Sequence, residues 1–132
     1  MRIVIDTNVV VSAMFFGGKP RKLLEMLEDN LVNAYVTDEI VKEYGETTEY
    51  LLKKFGGDKM SLPLELIVRK MKLIDAETKV EICRDPDDDK FINCAIDAKC
   101  YYIVSGDKNL LDIKQYKDVQ ILKVADFLEM ME

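Results

Sequence analysis

Four acidic residues occupy positions from which their carboxylates could act together. Asp6 directly follows the β-branched run of residues 3–5, and Asp107 closely follows a second apolar run. Glu43 and Asp89 each border the apolar stripe of a predicted helix. Carboxylates without histidine or cysteine ligands are the oxygen donors that Mg²⁺ and Mn²⁺ prefer. One or two such ions can hold a phosphodiester, activate a water and stabilise the leaving oxygen, and this is the chemistry that the four residues indicate.

The acids around the Asp-Pro-Asp turn also have a purely structural explanation, but it is incomplete. Turn formation and the helix dipole favour one or two acids at such a place. The sequence has four within five positions, Asp85, Asp87, Asp88 and Asp89. Carboxylates at that density repel one another, and a bound cation would offset the repulsion.

The absence of histidine removes several kinds of site. With no histidine in 132 residues, His-based acid–base catalysis, Ser–His triads and His-rich zinc sites are excluded. Ser105 has no histidine to activate it, so we expect its hydroxyl to hydrogen-bond or to orient a water. The net charge of −6 argues against a basic protein that coats nucleic acid. It leaves a nuclease open, because divalent cations on clustered carboxylates reverse the local charge.

Length and composition predict one cytoplasmic domain covering residues 1–132. The chain has the size of a single domain, and its 48% apolar and 33% charged residues suit a buried core with a solvated surface. No apolar run is long enough to span a bilayer, and the N-terminal sequence lacks the layout of a signal peptide. Three cysteines without CxxC spacing indicate reduced thiols. We therefore expect no membrane association.

Strands and helices are predicted to alternate along the whole chain. The predicted strands cover residues 3–5, 34–36, 102–104 and 119–122, with one more at either 73–74 or 80–82. The predicted helices cover residues 9–13, 21–31, 38–54, 62–71, 89–99, 109–112 and 124–131. Thr37 or Asp38 is the expected N-cap of the long third helix. This alternation predicts a three-layer α/β/α fold with a mainly parallel central sheet, in which Asp6 and Asp107 share one sheet edge.

Taken in order, the short motifs around these acids resemble those of PIN-domain nucleases. Asp6-Thr7-Asn8 is similar to the first motif of that family, and Glu43 in Asp-Glu-Ile-Val-Lys-Glu to the acid of its second helical region. The helix that starts Asp89-Lys90-Phe91 is similar to the third motif, and Ser105-Gly106-Asp107 to the fourth. Each motif is short, but the ordered set extends over roughly residues 2–128.

The resemblance implies a Mg²⁺- or Mn²⁺-dependent endonuclease that cleaves single-stranded RNA. It further implies a homodimer and the branch of small stand-alone toxins that a cognate antitoxin protein holds inactive. By the same resemblance, the metal ligands and catalytic residues would be Asp6, Glu43, Asp89 and Asp107. Supporting hydrogen bonds would come from Thr7, Asn8 and Ser105, and further candidate ligands are Asp85 and Asp88.

Two other classes of protein fit part of the pattern. A receiver-type phospho-signalling domain also carries acids at strand ends, but here the middle acids precede a helix instead of ending a strand. A haloacid-dehalogenase-type phosphatase would need Asp-x-Asp after the first strand, where this chain has Asn8. A non-catalytic PIN-like binding or scaffold module remains the main alternative from a different class.

Overall fold

A computed structural model describes every residue from Met1 to Glu132. Its centre is a six-stranded sheet with the strand order β3-β2-β1-β4-β6-β5. The strands are β1 (Arg2–Ile5), β2 (Asn33–Val36), β3 (Lys72–Leu73), β4 (Tyr102–Val104), β5 (Gln115–Tyr116) and β6 (Val119–Leu122). The helices are α1 (Thr7–Phe15), α2 (Gly18–Glu28), α3 (Asp38–Phe55), α4 (Leu64–Arg69), α5 (Asp89–Asp97), α6 (Lys108–Leu111) and α7 (Val124–Met131). Two 3₁₀ turns lie at Gly57–Lys59 and Pro86–Asp88.

The sheet is parallel except at one edge, which confirms the predicted α/β class. β1 pairs in parallel with both β2 and β4, and β4 pairs in parallel with β6. Only β5, which was not predicted, runs antiparallel. Ile3, Val4 and Ile5 are all fully buried. Because successive strand residues point to opposite faces, β1 must be covered by helices on both sides, as in a three-layer arrangement.

Several element boundaries differ from the predicted ones for local reasons. Helix α2 ends at Glu28, three residues before the predicted end, and Leu31 is 58% exposed. The chain leaves the helix through Asn30, whose φ of 61° lies in the left-handed region. Thr37, and not Asp38, caps α3, because its side chain accepts a hydrogen bond from the Ile40 N–H.

The open choice for the third strand is decided in favour of Lys72–Leu73. Residues 80–82 cannot join the sheet, because three side chains on successive turns of α5 bind the backbone of residues 77–83. Asp89, Asn93 and Asp97 are four residues apart and therefore lie on one face of the helix. They accept hydrogen bonds from the backbone N–H groups of Glu77, Thr78, Val80, Ile82 and Cys83.

The apolar side chains of the sheet and helices form one continuous core, which includes Phe91, Phe127 and Tyr44. No helix of this structure has both the length and the apolar character needed to cross a membrane. The carboxyl ends of β1 and β4 lie side by side above this core, because Ile5 pairs with Val104. The residues that follow these two strands are therefore neighbours.

Candidate functional site

The pairing of β1 with β4 brings Asp6 and Ser105 together. The Asp6 N–H donates to the Val104 carbonyl at 2.9 Å, which extends the ladder by one residue beyond β1. The Ser105 hydroxyl donates to Asp6 Oδ2 at 2.6 Å and accepts from the Asp107 N–H at 3.0 Å. One buried hydroxyl thus fixes the Asp6 carboxylate and the start of the Asp107 loop, which is the hydrogen-bonding role expected for Ser105.

Asp107 combines a structural role with a place in the acid cluster. Its Oδ1 accepts a hydrogen bond from the Asn109 N–H at 2.9 Å and so caps α6. Its negative charge also contributes to raising the pKa of Asp6 and of Asp88. The cap holds the side chain in place without removing it from the cluster.

Asp88 and Asp89 are adjacent in sequence but face different surroundings. The half-buried Asp88 carboxyl lies within hydrogen-bonding range of Asp107, and its pKa is raised to about 7. Burial is the main cause, and the charges of Asp107, Asp85 and Asp6 add to it. The buried Asp89 carboxylate instead accepts hydrogen bonds from the backbone of residues 82 and 83, at 3.2 and 2.9 Å. The structure therefore brings Asp88, and not Asp89, to Asp6 and Asp107.

The remaining acids of this segment lie further out. Asp85 is exposed, and its Oδ1 accepts a hydrogen bond from the Asp87 N–H at 3.0 Å, which caps the 3₁₀ turn Pro86–Asp88. Asn8 is also exposed, and its side chain makes no hydrogen bond within the chain. Neither of these two residues has a contact that would orient it towards Asp6.

Glu43 is held by two partners, one on each carboxylate oxygen. The Thr7 hydroxyl donates to Oε2, and the Lys90 ammonium lies 2.6 Å from Oε1. The Lys90 ammonium also lies 3.1 Å from Asp87 Oδ1, although the Lys90 side chain is only 7% exposed. Burial acts to lower the pKa of Lys90, but its hydrogen bonds and ion pairs with Glu43 and Asp87 outweigh burial, so the pKa is raised. Lys90 is therefore a charged ammonium at neutral pH.

Two residues of the site were not predicted from the sequence. No role was predicted for Lys90, although its i,i+3 spacing from Asp87 favours an ion pair on one helical face. Tyr44 lies within the predicted helix of residues 38–54, and nothing in the sequence marks its hydroxyl as part of the site. Its fully buried hydroxyl donates to the Ile5 carbonyl, which fixes α3 and its neighbour Glu43 against the end of β1.

Asp6 is the most deeply buried carboxylate of the cluster. Burial raises its pKa from 3.8 to about 6, and the charges of Asp107 and Glu43 add to the rise. Hydrogen bonds from the Ser105 hydroxyl and the Thr7 backbone offset part of it. None of Asp6, Asp88 and Asp107 forms an ion pair with a basic side chain. No three acidic side chains are gathered at metal-coordinating distance.

A polar cleft of about 510 Å³ opens beside the cluster, between the start of α3 and the segment that α5 holds. Asp87, Asp89 and Lys90 line it, together with Thr37 and Asn93. Asp6, Asp88 and Asp107 do not line it, so the acid cluster lies outside this cleft.

Comparison with known proteins gives three results. The sequence profile of the PIN domain matches residues 2–109. An uncharacterized protein of Methanocaldococcus jannaschii is 35% identical over 119 residues, which cover 86% of this chain and 76% of the relative. The crystal structure of VapBC2 from Rickettsia felis, bound to a DNA fragment from the promoter of these proteins, contains a chain with a TM-score of 0.59. The alignment covers 92% of this chain and 97% of that one at 17% identity, so it shows a shared fold.

Proposed function

Because the chain belongs to the PIN domain family, we propose that it is an endoribonuclease that cleaves single-stranded RNA with Mg²⁺ or Mn²⁺. The observation that carries the proposal is the cluster that Asp6 and Asp107, at the carboxyl ends of β1 and β4, form with Asp88 from the turn before α5. These three side chains offer oxygen donors and have no basic partner, and the Ser105 hydroxyl holds the Asp6 carboxylate and the Asp107 backbone. The carboxyl edge of a parallel sheet is also where α/β proteins usually bind their ligands.

The residues present fit a hard divalent cation. The donors of Asp6, Asp88 and Asp107 are all carboxylate oxygens, which Mg²⁺ and Mn²⁺ prefer. The buried, uncompensated charge of Asp6 is unfavourable in the metal-free protein, as its raised pKa records. Bare carboxylates repel one another, so the cation itself is needed to draw Asp6, Asp88 and Asp107 together. When bound, such an ion supplies positive charge for a phosphodiester and activates water at neutral pH.

The residues of the chain have distinct tasks in this proposal. Asp6, Asp88 and Asp107 hold the cation, and Ser105 keeps the Asp6 carboxylate in a fixed orientation. Glu43, held by Thr7 and Lys90, adds negative charge at the rim. Asp88 thus replaces Asp89 as the proposed ligand of this segment, and Asp89 positions the loop before α5. Asn8 and Asp85 have no assigned task.

Cleavage of an end-labelled single-stranded RNA tests the enzymatic proposal. We expect cleavage in MgCl₂ or MnCl₂ and none in EDTA. Asp6→Asn and Asp88→Asn should each lower the rate at least about 100-fold, because even outer-shell partners of metal ligands are worth 10–100-fold. The exposed Asp118→Asn is the matched control for the loss of one carboxylate, and DNA of the same sequence tests the preference for RNA.

Asp89→Asn separates the two possible ligands of the Asp-Pro-Asp segment. Asparagine keeps an oxygen that can accept from the backbone N–H groups of residues 82 and 83. We therefore expect this variant to keep most of the activity. If it is inactive but folded while Asp88→Asn is active, Asp89 is the ligand. Full activity of all three asparagine variants would overturn the assignment of these acids to catalysis, and absence of cleavage by the wild type would leave a non-catalytic binding module as the better description.

We further propose that this cytoplasmic protein is the toxin of a toxin–antitoxin pair and forms a homodimer. Its small size, its family and the fold that it shares with a chain of the Rickettsia felis VapBC2 structure support this. Induced expression in a bacterial host should stop growth, and Asp6→Asn should abolish the effect. Co-expression of a protein encoded next to its gene should restore growth. Unimpaired growth argues against the toxin role, and light scattering at the mass of one chain argues against the dimer.

A further inference from the structure

Lys90 divides the acids of the site into two groups with different charge balance. Its ammonium lies between Glu43 Oε1, at 2.6 Å, and Asp87 Oδ1, at 3.1 Å. The other oxygen of Glu43 accepts from the Thr7 hydroxyl, so both oxygens of this carboxylate already have partners in the protein. Asp6, Asp88 and Asp107 have no such counterion. One group is therefore partly compensated by a positive charge of the chain, and the other is not.

The position of Lys90 is built into the fold and is not an accident of a flexible surface side chain. Its side chain is only 7% exposed, and its ammonium lies 5.7 Å from the centre of the Phe91 ring, which is itself fully buried. A lysine is rarely buried to this degree unless it is paired, because desolvation of the charge is costly. The pairing with Glu43 joins α5 to α3, two elements that are distant in sequence.

Two-metal nucleases place their ions about 3.5–4 Å apart, so a second ion would need further oxygen donors close to Asp6, Asp88 and Asp107. In this chain a monovalent ammonium already stands where Glu43 and Asp87 would offer oxygens to a second ion. A divalent cation there would lie next to the Lys90 ammonium and compete with Lys90 and Thr7 for the oxygens of Glu43, so charge repulsion would oppose it.

We infer that the Lys90 ammonium takes the place of a second divalent cation, so that this chain binds a single ion on Asp6, Asp88 and Asp107. Glu43 is then a positioning residue that holds Lys90, and is not itself a ligand. The inference rests on the proposed function and specifies how many metal ions that site holds. It also identifies Lys90 as a permanent positive charge beside the proposed catalytic cation.

Binding of Mn²⁺ alone, without RNA, tests the inference. Calorimetry should give one Mn²⁺ per chain for the wild type, and the electron paramagnetic resonance spectrum should be that of an isolated ion. Lys90→Met removes the charge with little change in volume and frees Glu43. This variant should bind two Mn²⁺ per chain and give a spin-coupled spectrum. Lys90→Arg keeps the charge and should remain at one.

Variants of Glu43 keep the test decisive if Lys90→Met does not fold. In the wild-type background Glu43→Gln keeps one oxygen that can accept from Lys90, while its amide NH₂ can donate to the Thr7 hydroxyl oxygen. It should therefore keep one Mn²⁺ with an affinity lowered by at most about 100-fold, since an outer-shell change costs about 10–100-fold. The double variant Lys90→Met with Glu43→Gln removes both the ammonium and the Glu43 charge and leaves only the exposed Asp87 carboxylate at this position, so it should also bind one ion.

The outcomes distinguish this inference from the proposed function. Two Mn²⁺ in the wild type, or loss of an ion in Glu43→Gln, overturns the inference but leaves the nuclease proposal intact. A single ion in both the wild type and folded Lys90→Met shows that Lys90 does not exclude a second ion, and also overturns the inference. If Mn²⁺ does not bind, or if its binding does not depend on Asp6, the proposed function itself is contradicted.

Discussion

Replacement of Asp6 by asparagine is expected to stabilise the metal-free protein at neutral pH. Folding raises the pKa of this carboxyl from 3.8 to about 6, mainly by burial. An acid with a raised pKa binds its proton more tightly in the folded state, so the free energy of unfolding falls as pH rises between the two values. Above the higher of these two pKa values, the loss of stability caused by the buried Asp6 charge no longer changes with pH. Asparagine has no charge to bury and still offers an oxygen to the Ser105 hydroxyl.

The size of the effect follows from the shift. The rise from 3.8 to about 6 corresponds to about 3 kcal/mol, because one pKa unit is worth about 1.4 kcal/mol. With Asp6 pKa values of 3.8 in the unfolded state and about 6 in the folded state, about 1.4 kcal/mol of this loss in the free energy of unfolding occurs between pH 5 and pH 8. The advantage of Asp6→Asn over the wild type should therefore grow by about 1.4 kcal/mol across that interval. This is a large fraction of the stability of a small domain.

Urea denaturation in EDTA, followed by circular dichroism from pH 5 to pH 8, measures this difference. Asp118→Asn is the matched control for the removal of one exposed carboxylate. MnCl₂ at pH 8 should stabilise the wild type but not Asp6→Asn, because only a folded state that binds the ion gains from it. A stability difference between Asp6→Asn and the wild type that stays flat with pH, or that shrinks as pH rises, would refute the reasoning.

Three further substitutions test the supports of the site. Ser105→Ala removes a hydrogen bond that lowers the pKa of Asp6, so carboxyl NMR should show that pKa rising above about 6. Tyr44→Phe leaves the carbonyl at the end of β1 without its buried donor and should cost about 1–3 kcal/mol in urea denaturation. Asp97→Ala removes the acceptor for Glu77 and Thr78, so their amide hydrogens should exchange faster while those of β1 remain protected.

Each of these expectations has a clear contrary result. An unchanged or lowered pKa of Asp6 in Ser105→Ala would mean that the 2.6 Å hydrogen bond does not favour the ionised carboxylate. Equal stability of Tyr44→Phe would mean that another donor replaces the tyrosine hydroxyl. Exchange that accelerates equally throughout the protein in Asp97→Ala would indicate global destabilisation and not local release of residues 77–83.

The parts of the fold that depend on local pattern were predictable from sequence. The β-branched run before Asp6 and the apolar run before Ser105 both form strands of the parallel sheet. Alternation of strands and helices was enough to place both strand ends at one edge. The third strand was ambiguous, because residues 80–82 have strand-like composition but their backbone is bound by the side chains of α5. The α5 side chains compete with a neighbouring strand for this backbone. This competition depends on contacts between separate elements, which the periodicity of the sequence does not predict.

The choice between Asp88 and Asp89 illustrates the same limit at the site. Both are acids at the start of the same helix, and either could be read as the acid of the third motif. The 3₁₀ turn Pro86–Asp88 precedes α5, and consecutive helical residues point about 100° apart. A difference of one residue therefore separates a carboxyl near Asp107 from one bound to the loop backbone.

The sequence by itself determined that acids without histidine would follow two strands of a parallel sheet, because burial and side-chain periodicity act over a few residues. Only the tertiary structure decided which of the acids meet, and which of them is neutralised. The ion pair of Lys90 with Glu43 exists because α5 packs against α3 across 47 residues of sequence. Charge compensation depends on distances in space, and no local pattern in the chain specifies them.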